Sequence, residues 1–249
     1  MSGPEAELPD GKNIDLEDAY VDEYWSAYRQ HVHTLLAWGY ADSRHRVQSK
    51  HEEPDITGFI AEAIQDRLDA LDCPSWCDHI TIKDDPPVRG GGRTGRSRWR
   101  PDLIFESSIG RKPRPKYHFE AKRLRKPQSK TDYLGEGGLQ CFLSGMYASE
   151  NDEAGMLGYI QCENISTWTK RLQMTIDQDH QDKNEMLLLP PQSNVQVVDA
   201  FPLEWISKHD RYTGKSIVVH HILLDYCIIP SFNSIVANSP PLKENKSSK

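Results

Sequence analysis

Arg100-Pro101-Asp102-Leu103-Ile104-Phe105 and Tyr117-His118-Phe119-Glu120-Ala121-Lys122 carry the clearest structural signal in this chain. Leu103 to Phe105 is a short apolar run, and Tyr117 to Lys122 alternates as a half-buried strand does. Between them, Ser107-Ser108-Ile109-Gly110-Arg111-Lys112-Pro113-Arg114-Pro115 is rich in turn formers. The two segments predict a β-hairpin whose ends bring Asp102, Glu120 and Lys122 together. Residues two apart on a strand share a face, which puts Glu120 and Lys122 on one side. Two carboxylates and a lysine are out of place in an apolar core but suit a hard divalent cation.

Pro101-Asp102 followed by Glu120-Ala121-Lys122 resembles the PD-(D/E)XK nuclease superfamily, and the resemblance covers about residues 50–163. It implies an α/β fold of restriction-endonuclease type: a central mixed β-sheet flanked by helices. An extra N-terminal helix and extra C-terminal strands are expected around that core. The resemblance also implies a phosphodiesterase that depends on Mg2+, with Mn2+ as a substitute. Asp102, Glu120 and the Ala121 carbonyl would hold the metal, and Lys122 would position or activate the attacking water. A further acid is expected from the segment before the hairpin, either Glu53 or Glu62. Nine residues on a helix is half a turn out of phase, so only one of the two faces the metal, and Glu53 is favoured.

The net charge of −7 argues against a nucleic-acid partner until its distribution is considered. From Lys83 to Lys130 there are fifteen Lys and Arg against five Asp and Glu. A cluster of that sign around the motif is what a phosphate backbone requires. Arg93, Arg96, Arg98 and Arg100 form an arm before the hairpin, Arg111, Lys112 and Arg114 its tip, and Arg123 follows the motif. These residues predict salt-dependent binding of a nucleic acid, with double-stranded DNA, the superfamily's usual substrate, as the expected partner. A restriction or phage-defence endonuclease is the setting that follows. A homodimer or partner protein is expected for cutting both strands, because one site cuts one strand. The alternatives are a nucleic-acid-binding module without turnover, or an interaction subunit that docks through its acidic N-terminal helix.

The 249 residues suit one nuclease-like domain over 14–237, between polar ends (1–13 and 238–249) expected to be disordered. No run approaches a membrane span and the N-terminus lacks an apolar signal region. Five scattered cysteines fit a reducing cytoplasm better than a disulfide framework. Cys73, Cys77 and His79 lack a fourth ligand at zinc-site spacing. Gly90 to Ser97 mimics a phosphate-binding loop, but Arg96 replaces the lysine and a strand follows where a helix is needed. Trp99, inside the arginine arm, suits either stacking on a base or packing beneath the sheet.

Helices are expected from Leu16 to about Trp38 with Gly39-Tyr40 as the stop, from about Asp55 to Leu71, over Leu139 to Ala148, and over Ile165 to Ile176. Asp55 or Thr57 is the expected cap of the second. The Tyr20, Tyr24, Trp25, Tyr28 stripe reads as a packing face. Further strands are expected at His79–Lys83, Gly155–Cys162, Asn194–Val198 and Ser216–Tyr226. His220 and His221 point to opposite faces of the last one, so they do not share one ion.

Overall fold

The computed structural model describes residues 16–88, 93–109, 114–183, 189–193, 196–212 and 214–227. Both polar ends, and Arg111 and Lys112 at the hairpin tip, lie outside the described residues. Helix α1 (Leu16–Ser43) buries Tyr28, Val32, Leu35, Leu36 and Tyr40, a spacing of three and four that makes one apolar stripe. Tyr28 is core, and Tyr24 and Trp25 pack against it, Trp25 stacking on Tyr117 with ring centroids 6.1 Å apart; the Tyr20 side chain lies outside the described residues. The helix runs through Gly39 instead of stopping there. A Cβ at Gly39 would stand 2.5 Å from Ile64 Cγ1 of helix α2 (Glu53–Leu68), so this glycine serves close helix packing.

Helix α2 is capped by Glu52, not by Asp55 or Thr57. Asp55 supplies the return half of a capping box, accepting the Glu52 N–H at 2.9 Å. Thr57 is buried and shares a 2.9 Å hydrogen bond with the Tyr159 hydroxyl.

Seven strands form one mixed sheet in the order β1-β2-β3-β4-β7-β6-β5. They are β1 (Ile80–Asp84), β2 (Leu103–Ser107), β3 (Lys116–Leu124), β4 (Glu153–Ile160), β5 (Leu189–Ser193), β6 (Leu203–Asp210) and β7 (Ser216–Asp225). The expected hairpin is present as the antiparallel pair β2–β3, with Leu103 opposite Phe119. At the centre, β3, β4 and β7 run parallel, and β4 is buried over nearly its whole length. Parallel strands covered on both faces have that continuous burial. Helices α1 and α2 cover one face, over Phe105, Tyr117, Phe119, Leu157 and Ile222. Helices α3 (Ser129–Leu134), α4 (Gln140–Leu143) and α5 (Ile165–Lys183) belong to the other, with Leu124, Met156, Trp205 and Leu223.

Three expectations fail in the second half. The single helix over Leu139 to Ala148 is only α4, preceded by an unforeseen α3. The backbone turns left-handed at Gly145 and Ala148, and the buried Arg211 holds the loop there: its guanidinium donates to the carbonyls of Phe142, Ala148, Ser149 and Asn151 at 2.6–3.3 Å. Of the strand expected at Asn194–Val198, the first two residues lie outside the described residues and Gln196 to Val198 is a connecting loop, where Val197 donates its N–H to Glu204 Oε2 at 2.9 Å; a strand, β5, precedes it. Strand β6 escaped notice because its core-facing residues include Ser207 and His209, which break the apolar alternation. A local disulfide joins Cys73 and Cys77, correcting the expectation of unpaired thiols. Among the described residues, no helix is long and apolar enough to cross a membrane.

Gly155 pairs with Phe119 across β3–β4, and a Cβ there would stand 2.1 Å from the Phe119 ring. Gly155→Ala is expected to lower stability by about 1–3 kcal/mol, the usual cost of overpacking, in urea unfolding.

Candidate functional site

The β2–β3 hairpin, the start of α2 and the parallel β3–β4 pair meet at one end of the sheet. Asp102 sits just before β2, where the register places it opposite Glu120. Its Oδ2 accepts the Ala121 N–H at 2.6 Å, and its carbonyl accepts the Asp85 N–H at 3.0 Å. The Tyr147 hydroxyl donates to the Arg100 carbonyl at 2.9 Å, pinning the chain just ahead of Pro101-Asp102.

Lys122 is the hub. Its Nζ donates to Glu120 Oε1 at 2.8 Å, Glu53 Oε1 at 2.9 Å and the Ala121 carbonyl at 2.6 Å. The second oxygen of Glu53 accepts the Arg123 N–H at 3.1 Å, so the first turn of α2 is tied directly to β3. The second oxygen of Glu120 is buried and has no hydrogen-bond partner. Ala121 O is taken by Lys122 here, whereas the sequence assigned it to a metal.

Three carboxylates surround a single ammonium, and the electrostatics record the imbalance. Burial, reinforced by the Asp102 charge, pushes Glu120 up to about 8 despite the nearby lysine. Burial likewise raises Asp102 to about 6, against the pull of Lys122 and of its hydrogen bond from Ala121. For Lys122, burial acts to lower the pKa, but Glu120, Glu53 and Asp102 together hold it above the ordinary lysine value. The site therefore has spare negative charge and a spare buried oxygen, which a divalent cation would use.

Glu62 is not part of this group. It pairs with Arg46 at 2.6 Å on an exposed flank of α2, in keeping with the half-turn offset from Glu53. Beside Glu53 and Lys122 opens a cleft of about 560 Å3 edged by Arg123, Arg125, Lys126 and Asp132. A larger cleft, about 840 Å3, lies between α3, α4 and α5 and contains none of these carboxylates.

The basic residues divide. Arg93 lies over the Trp99 ring at 3.5 Å, and Trp99 packs against the core beneath the sheet. Arg96 and Arg114 are exposed, and Arg98 donates to the Gly95 carbonyl at 3.3 Å. Arg100 is held by Asp85 at 2.8 Å, and Arg123 pairs with Glu52. Arg100 and Arg123 thus serve the protein's own ion pairs.

Sequence reading missed a second polar cluster. His33 of α1, Glu204 of β6 and His220 of β7 meet on the α1 face of the sheet. Among the described residues, only this trio brings three such ligand atoms within 4.8 Å of one another. Burial lowers His33 to about 4, leaving its imidazole neutral. His221 points to the other face, toward Tyr133 and Ser207, as the strand alternation required. No sequence spacing announces the trio, because its members come from three distant elements.

Comparison with known proteins gives no match: no family model, no curated protein and no solved structure.

Removing Lys122 leaves buried carboxylates uncompensated. Lys122→Met is expected to cost about 3–5 kcal/mol in metal-free urea unfolding, the range for breaking a buried pair. Glu62→Gln, on the exposed flank, is expected to stay within about 0.5 kcal/mol of wild type.

Proposed function

We propose that this protein is a metal-dependent phosphodiesterase acting on nucleic acid, with double-stranded DNA as the favoured substrate. The observation that carries the reading is the unpartnered buried oxygen of Glu120, beside Asp102 and within reach of the Lys122 hub. Asp102 and Glu120 are the metal ligands, and Glu53 completes the acidic group through its contact with Lys122. Mg2+ fits best, because hard oxygen donors and few protein ligands suit an ion that keeps several waters. A bound Mg2+ lowers the pKa of its water and offsets charge on the phosphate.

The chain's own residues do the rest. Lys122, its three N–H donors committed to Glu120, Glu53 and the Ala121 carbonyl, holds a fixed positive charge next to the site that offsets charge developing on the phosphate. The cleft at Arg125 and Lys126 gives the phosphate backbone a positive path to the carboxylates. Arg96 and Arg114 are exposed, add positive charge elsewhere on the surface, and have no part in the chemistry. The order of the motif along β2 and β3, and the parallel strand beside it, support a PD-(D/E)XK type of enzyme. A defence or restriction role in the cytoplasm belongs to the same proposal.

Supercoiled plasmid incubated with Mg2+, Mn2+ or EDTA tests the reading. Nicking or linearisation is expected with either metal and not with EDTA. Asp102→Asn, which keeps an acceptor for the Ala121 N–H, is expected to lower the rate by about 100-fold or more. Metal-independent cleavage, or cleavage untouched by that substitution, would remove the assignment. Salt-dependent DNA binding without cleavage would favour the non-catalytic binding module instead.

Binding should weaken steeply as salt rises, through release of counterions from the phosphates. Arg96→Ala is expected to reduce the slope of log affinity against log salt by about one, measured by fluorescence anisotropy.

A further inference from the structure

The cluster on the α1 face consists of His33, Glu204 and His220, all less than a tenth exposed. His220 Nδ1 lies 2.8 Å from Glu204 Oε1, and His33 Nδ1 lies 3.1 Å from the same oxygen. Glu204 is the one polar group near His33 Nδ1, and Nε2 of this fully buried side chain has no hydrogen-bond partner. An imidazole so poorly paired in a core is costly, and another group beside it would lower that cost.

The surrounding charges identify that group. Glu153 Oε2 is buried, without a hydrogen-bond partner, and 3.8 Å from His220 Nε2. Its other oxygen pairs with Arg29. Two carboxylates, Glu204 and Glu153, and one guanidinium, Arg29, border the two imidazoles. A dipositive ion suits that acid-rich border and gives His33 a ligand bond in place of its loose contact with Glu204.

The geometry points to a structural binding site for a borderline divalent transition ion, Zn2+ foremost, held by His33 Nδ1, His220 Nδ1 and Glu204 Oε1. Tetrahedral zinc with bonds of ~2.0–2.1 Å sets its donors about 3.3 Å apart, a few tenths of an ångström wider than the present spacing. The two rings meet edge to face with centroids 5.0 Å apart, and both Nδ1 atoms converge on one Glu204 oxygen. When the ion takes His220 Nδ1, the proton moves to Nε2, where Glu153 accepts it. A carboxylate behind a ligating histidine fixes the tautomer in just this way. Glu204 keeps its place through Oε2, which accepts the Val197 N–H at 2.9 Å. Such an ion would clamp the N-terminal helix to the β6–β7 hairpin. Loading accompanies folding, because the site has no exposed ligand. This site is separate from the carboxylate group around Lys122, and its donors are softer.

The test uses the full chain, stripped with a chelator and titrated with Zn2+ alone, then with Mg2+ alone. One Zn2+ per chain by elemental analysis, with a raised Tm that Mg2+ does not reproduce, is expected. Zinc-edge X-ray absorption of the wild type should show two imidazole nitrogens, a readout that needs no variant to fold. Glu153→Gln, acting through His220, should weaken Zn2+ binding by roughly 10–100-fold. Asp102→Asn should leave Zn2+ content and the zinc spectrum unchanged, even if plasmid cleavage is lost. Absence of stoichiometric Zn2+, a zinc spectrum without imidazole, or loss of the ion in Asp102→Asn would overturn the proposal.

Discussion

The buried ammonium of Lys122 is the contact on which the arrangement of this end of the sheet depends. One side chain bonds the strand it grows from, through Ala121 O and Glu120, and the start of α2, through Glu53. Helix and strand are thereby fixed at a single point, and Asp102 is drawn in by the backbone of the same strand. A hydrophobic contact would have held the two elements together equally well. It would not have left surplus negative charge facing a cleft. The raised pKa values of Asp102 and Glu120 come first from burial, with the neighbouring carboxylates adding to the shift.

The sheet carries polar clusters of different chemical character. Around Lys122 the donors are carboxylate oxygens at an open edge, beside positive side chains. On the α1 face the donors are imidazoles and a carboxylate, closed off from solvent by aromatic rings, with Tyr117 and Phe201 edge-on to His33. Hard ions that exchange with solvent suit the first environment, and a retained borderline ion suits the second. The opposite face has a third polar cluster. There Ser207 bridges His209 and His221 at 2.6 and 2.7 Å, and the Tyr133 hydroxyl lies 3.1 Å from the other His221 nitrogen. Those rings are satisfied by protein alone, and the contrast isolates His33 as the unsatisfied one.

Much of the candidate site could be read from the chain because its chemistry is local. Asp102, Glu120 and Lys122 lie on one hairpin, where a period of two and a turn-rich loop fix both face and register. Helical phase separated Glu53 from Glu62 without coordinates. The failures have physical causes too. Gly39 looks like a stop, but the constraint on it is the approach of Ile64 from another helix. The segment after β3 looks like one helix, but the backbone turns left-handed at Gly145 and Ala148, and Arg211, far along the chain, holds the carbonyls of the loop that follows. Strand β6 is disguised because its polar core residues are paired by neighbours that local pattern does not reveal.

The α/β class and the place of Glu53 came from the motif's resemblance. Binary pattern and turn chemistry in the sequence determined the β2–β3 hairpin, the grouping of Asp102, Glu120 and Lys122 on it, and the opposite orientation of His220 and His221. These depend on neighbours within a few residues, or on one turn of regular structure. Only the tertiary structure decided the strand order that sets β7 beside β4, the closure of Lys122 onto Glu53, and the meeting of His33 with Glu204 and His220. Each of those joins segments far apart along the chain. Their juxtaposition follows from how the two helical layers pack on the sheet, which no local period encodes.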